Sequence, residues 1–156
     1  MIGTISGIYI QLIFAVKEKR SLITSSFEEE FFKHISGIIK QKDQKLLAIK
    51  AIPDHIHILI GIRPSCCLSD LVREVKISSN KFINERKLSP NKFEWQDGYG
   101  AFSSSHPSLK SVITYIKDQK VHHRKQSFRK EYIALLTKFQ IEFKEEYLLE
   151  WIKDLE

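Results

Sequence analysis

The stretch Leu46-Leu-Ala-Ile-Lys-Ala-Ile52-Pro53-Asp54-His55-Ile-His-Ile-Leu-Ile-Gly-Ile62 decides how this chain folds. Two apolar, β-branched runs flank Pro53-Asp54, a pair suited to a tight connection, so the spacing predicts a hairpin with strands over Leu46–Ile52 and His55–Ile62. Residues two apart in a strand share a face. Ile56, Ile58 and Ile60 therefore point to one side and can enter a core, while His55 and His57 point together to the other.

Outward from the hairpin, Ile8 to Val16 is β-branched and aromatic without a helical stripe and reads as a buried strand, closed by the basic run Lys17 to Arg20. Ser25 and Ser26 precede Glu28 and Glu29 at capping-box spacing. Phe27, Phe31, Ile35, Ile38 and Ile39 then recur at helical intervals, predicting a first helix to about Gln41. After Arg63-Pro64-Ser65, the residues Leu68, Leu71, Val72, Val75, Phe82 and Ile83 mark a second helix ending near Lys87. An aromatic loop from Phe93 leads to a fourth strand, Tyr99 to Ser104, and Pro107-Ser108 opens a third helix from Leu109 to about Lys125. A helical segment from Phe128 to Phe139 and a charged tail to Glu156 follow. Strand, helix, strand, strand, helix, strand is the ferredoxin-like order. The expected class is α+β: an antiparallel sheet with helices on one face plus extra C-terminal helices. A chain of 156 residues accommodates one domain, with a core over about 8–139 and a helical tail over 140–156.

Twenty-five Lys and Arg against 19 Asp and Glu give a net charge of +6, which favours a polyanionic partner without deciding for one. Cys66 and Cys67 are adjacent, a spacing that rarely closes a disulfide, and fit a reducing cytoplasm. No basic-then-apolar leader and no bilayer-length apolar run is present, so export and membrane embedding are not expected.

Two imidazoles about 6.6 Å apart along a strand, at about 3.3 Å per residue, can converge on one cation, although His-x-His alone also fits paired surface histidines. The third helix adds Tyr115, Gln119, His122 and His123 as one polar stripe, either a solvated face or the wall of a site. A phenol is a poor nucleophile at neutral pH without a base, a metal or electrostatic help. A cation at His55 and His57 would polarise a phosphate, and Gln119, one turn from Tyr115, would offer an amide oxygen as third ligand. The remaining open coordination positions suit catalysis rather than structural zinc.

Asp54-His55-Ile56-His57-Ile-Leu-Ile, Tyr115-Ile-Lys-Asp-Gln119 with His122-His123, and Trp95-Gln-Asp-Gly-Tyr-Gly-Ala-Phe-Ser before the tyrosine helix together resemble the HUH single-tyrosine transposases, both TnpA-type insertion-sequence enzymes and REP-associated tyrosine transposases. The resemblance runs from Ile8 to at least Phe139. It implies magnesium or manganese on His55, His57 and Gln119, and attack by Tyr115 on single-stranded DNA. That attack gives a 5′-phosphotyrosine and a free 3′-hydroxyl, and a second transesterification reverses it on a new strand. It further implies recognition of DNA hairpins, a homodimer with sites completed in trans, and the cytoplasm of a bacterium or archaeon. Gln11 stands where relatives often carry histidine. An active mobile-element enzyme and a domesticated copy share these residues.

Arg63, Arg73, Lys76, Lys81, Arg86 and Lys87 form a basic group around the second helix, read either as a DNA-backbone contact or as a solvated face. Trp95, Tyr99 and Phe102 either fill a core or stack on bases, the core being the commoner use. Three rival accounts are structural zinc shared with Cys66 and Cys67, a noncatalytic ferredoxin-like RNA-binding module, and a two-histidine phosphoesterase. The zinc account lacks Cys-x-x-Cys spacing. The RNA module wants aromatics on the central strands, and the phosphoesterase needs a second His-x-Thr/Ser motif. His34 and His106 have no evident role.

Overall fold

The computed structural model describes residues 3–17, 23–119 and 127–143. Four strands, β1 (Ile8–Ala15), β2 (Lys45–Ile52), β3 (His55–Ile62) and β4 (Gly100–Ser104), form one sheet in the order β2-β3-β1-β4, with every neighbouring pair antiparallel. Helices α1 (Glu28–Gln41) and α2 (Leu68–Glu85) connect them, and α3 (Leu109–Lys117) and α4 (Phe128–Lys138) follow. The α+β ferredoxin-like order read from the sequence is the observed one. The third helix is interrupted by a turn at Asp118, Gln119 is helical again, and the rest of its expected span to Lys125, with His122 and His123, lies outside the described residues, as does the tail from 144 on.

Register fixes which side chains share a face. Ala15 opposes His55, Ile13 opposes His57, and Gln11 opposes both Leu59 and Phe102, so these side chains lie on one side of the sheet. Phe14 opposes Ile56 and Leu12 opposes Ile58, on the other side. There the apolar stripes of α1 (Phe31, Ile35, Ile39) and α2 (Leu71, Val72, Val75, Ile83) close over the isoleucines in one core. Trp95 joins this core edge-on to Phe14 and stacked on Phe31, and its indole N–H donates to Ser79 Oγ at 2.8 Å. The loop carrying it is bonded to the end of β1 through Gln96 N to Ala15 O and Gln96 Nε2 to Val16 O.

The opposite face is covered by the C-terminal helices. Ile116 of α3 packs on Ala48 and Leu59. Helix α4 presents Phe128, Tyr132 and Leu136, spaced by four, and their burial explains why that short segment docks. Phe128 stacks flat on His55 at 3.8 Å, and Tyr132 meets Phe102. The start of α1 differs from the capping-box expectation. Phe27 is the N-cap, and its ring has no oxygen to cap with, while Ser26 Oγ bonds Thr24 Oγ1; Glu28, Glu29 and Glu30 complement the positive end of the helix dipole.

Candidate metal and tyrosine site

Alternation along β3 turns both histidines toward α3 and α4, where both are fully buried. Asp54, in the tight connection, places Oδ1 2.6 Å from His55 Nδ1. A carboxylate can only accept, so Nδ1 carries the proton and Nε2 is left with a lone pair aimed at α4. Gln11 Nε2 lies 3.3 Å from His57 Nδ1. An amide can donate there or, turned over, accept, so Gln11 accommodates either tautomer of His57.

Helix α4 brings Glu131 to both imidazoles, with Oε1 3.2 Å from His57 Nε2 and 3.9 Å from His55 Nε2. His57 Nε2 is buried without a hydrogen bond, an arrangement that costs free energy in a metal-free site and is relieved when the lone pair binds a cation. One ligand atom each from His55, His57 and Glu131 lie within 4.8 Å of one another. Two neutral imidazoles and a carboxylate suit a divalent first-row ion or magnesium and leave further positions open. The residues present therefore fit a divalent cation.

Tyr115, half-buried on α3, donates its hydroxyl to Glu131 Oε2, and its ring lies 6.3 Å from that of His57. Burial, then the hydrogen bond and charge of Glu131, raise the phenol above its ordinary pKa, while a side-chain hydrogen bond from Gln119 pulls the other way. Gln119 is fully buried, and its Nε2 also donates to the Tyr115 carbonyl at 3.2 Å. Of the residues singled out from the sequence, the structure brings together His55, His57, Tyr115 and Gln119. Glu131 was missed. It sits three residues after Phe128 on the buried side of the Phe128, Tyr132, Leu136 stripe, and that position was the available signal.

The basic group does not join them. Helix α2 packs on the opposite face of the sheet from the histidines. Arg63 pairs with Asp43, Arg73 with Asp70, and Lys81 with Glu85, while Lys76 Nζ donates to the carbonyls of Gln96 at 2.9 Å and Gly98 at 2.6 Å. Trp95 and Phe102 are buried, and Tyr99 packs against the core, so all three fill it. Among the described residues, helices pack on both faces of the sheet. Cys66 and Cys67 follow the far end of β3, and among the described residues no metal-ligand trio includes them. His34 bonds Ser78 across α1 and α2, a structural role.

The sequence profile of the family described as "Transposase IS200 like" matches residues 4–119. A solved protein of Deinococcus radiodurans R1, named as a candidate transposase, superposes with a TM-score of 0.61 at 21% identity, covering 76% of this chain and 95% of that one. A REP-associated tyrosine transposase, solved bound to a REP hairpin, gives a TM-score of 0.59 at 17% identity over 76% of this chain and 70% of that one. No curated protein matches the chain. Among the described residues, no helix is long and apolar enough to cross a membrane.

Proposed function

The chain belongs to the IS200-like transposase family, and from that premise we propose that it cuts and rejoins single-stranded DNA with Tyr115 as nucleophile. The observation that carries this reading is the meeting of the Tyr115 hydroxyl with Glu131, whose other oxygen faces both histidines in one buried cluster. His55, His57 and Glu131 would hold magnesium or manganese, with Gln119 beside the phenol. When bound, the ion supplies charge stabilisation at the phosphoryl oxygens.

Glu131 Oε2 already accepts the phenolic hydrogen bond and is placed to take the proton as Tyr115 Oη attacks phosphorus. The new Oη–P bond leaves the 5′ side of the break on tyrosine. The P–O3′ bond breaks, and the 3′ oxygen takes a proton passed through water from the Glu131 carboxylic acid, which restores the carboxylate. Attack by a 3′-hydroxyl on the phosphotyrosine reverses these steps and rejoins a strand. Gln119, bonded to both the Tyr115 carbonyl and its side chain, holds the nucleophile in position. A hairpin in that DNA is the partner we favour, in line with the hairpin-bound REP-associated relative. Since His55, His57, Tyr115 and Glu131 belong to one chain, we favour a site completed in cis over one shared across a dimer.

The test is incubation with labelled single-stranded DNA carrying hairpins, in manganese or in chelator, followed by denaturing electrophoresis. A metal-dependent adduct mapping to Tyr115, absent in Tyr115→Phe, is the expected result. Binding with no adduct in any metal would overturn the enzymatic reading in favour of a noncatalytic DNA binder.

A further inference from the structure

A half-open cavity of about 370 Å³ adjoins Tyr115 and Glu131, lined from β1, α3 and α4, and the steps above assign it no occupant. Its volume is at the low end of the range for small-ligand pockets. Val112, Ala134 and Leu135 make its lining largely apolar, which disfavours a phosphate there, as does the Glu131 carboxylate on the same lining. Gln11 and Ser111 add hydrogen-bonding groups, and Lys138 adds a cation. Apolar faces with polar edges describe a nucleobase, and a single-stranded substrate offers its bases already unpaired. Because Tyr115 and Glu131 also line the cavity, an occupant lies beside the tyrosine side chain, the place of a nucleotide next to the break. Gln11, close to His57 through its amide, would then couple what occupies the cavity to a metal-binding imidazole.

Resting on the strand-transfer reading, we infer that this cavity receives the unpaired base directly beside the phosphodiester that Tyr115 attacks, with Gln11 and Ser111 facing its polar edge as specificity-determining residues. The experiment uses the full chain and a hairpin-bearing oligonucleotide in which each nucleotide is replaced in turn by an abasic one. Binding is measured in chelator, where no cleavage occurs, and the break is mapped separately in manganese. One abasic position next to the break should weaken binding about tenfold, the scale of one lost base contact. Ala134→Trp, which fills the cavity from an exposed position on α4, should bind the intact oligonucleotide about as weakly and show no further loss with the abasic one. Its fold and manganese affinity should match the parent. Ser111→Leu carries the same expectation should Ala134→Trp not fold. Uniform binding across all abasic substrates, or an undiminished abasic penalty in a folded cavity-filling variant, overturns the inference. If manganese yields no tyrosine adduct, the strand-transfer reading fails separately, and the chelator measurements still decide whether the cavity takes a base.

Discussion

His55 and His57 differ in what holds their second ring nitrogen, and the difference sets an order of importance for the groups behind them. Asp54 admits one tautomer of His55, whereas Gln11 tolerates both tautomers of His57. Asp54→Asn, able to donate as well as accept, should therefore lower manganese affinity by about 10- to 100-fold while leaving the fold intact, as titration calorimetry and circular dichroism would show. Unchanged affinity would mean that Asp54 does not orient His55. Glu131→Gln keeps shape and removes charge, so it should weaken manganese binding at least about tenfold, by more than Gln119→Ala does. The reverse ranking would restore Gln119 as the third ligand expected from the sequence. The histidine pair was legible because strand alternation is local. Glu131 was not, because its proximity to His57 spans 74 residues of chain and depends on α4 docking. Lys76 shows the opposite failure. As a letter it joins a basic cluster, yet its ammonium ties α2 to the carbonyls of the Trp95 loop, a role that charge counting cannot reveal.

At the level of elements, the helix ends carry a pattern that glycine-based reading overlooks. Asp43, Lys87 and Gln140 follow the caps of α1, α2 and α4, each at positive φ of 62°, 53° and 55°. The next residue in each case bonds back, Gln44 N to Ile39 O, Leu88 N to Ile83 O and Ile141 N to Leu136 O, which is the Schellman arrangement. Side chains with a Cβ pay about 1 kcal/mol in that conformation. Lys87→Gly should thus raise stability by about 0.5–1 kcal/mol in urea denaturation, and a loss of stability would show that the Lys87 side chain contributes more than its strain. This strain explains why the helix ends were only approximately legible: without glycine the stop signal is silent. Gly100 has the reverse logic. A Cβ there would lie 2.8 Å from Tyr132 Oη and 2.9 Å from Phe102 Cε2, so β4 and α4 approach as closely as they do because residue 100 has no side chain. Gly100→Ala should push α4 outward, costing about 1–3 kcal/mol and weakening manganese binding, because Glu131 rides on that helix. Full metal affinity in this variant would mean that α4 can shift without moving Glu131.

For the whole molecule, the sheet separates two jobs. The α1–α2 face is an apolar core whose pattern was readable from strand and helix periods, and it anchors β3. The α3–α4 face holds His55, His57, Tyr115 and Glu131 together, and its assembly depends on helices whose local signals are weaker: α3 is short, and α4 is recognisable as a docking helix only through Phe128, Tyr132 and Leu136. Packing of α3 on β2 and β3 of its own chain, together with the Tyr115–Glu131 bond, is the basis for proposing a site within one chain. A site shared across a dimer would instead need the tyrosine helix of a second copy to displace this one from Ile116's seat on Ala48 and Leu59. The two arrangements separate cleanly when Tyr115→Phe and His57→Ala subunits are mixed. With sites in cis, each chain lacks one essential group of its own site, so the mixture should form no DNA adduct, at any ratio or protein concentration. With sites in trans, Tyr115 from the His57→Ala chain could serve the intact histidines of its neighbour, and adduct formation would return on mixing. Recovered activity in the mixture would sink the cis assignment while leaving Tyr115 and the histidines in their proposed roles, since each single variant alone would remain inactive.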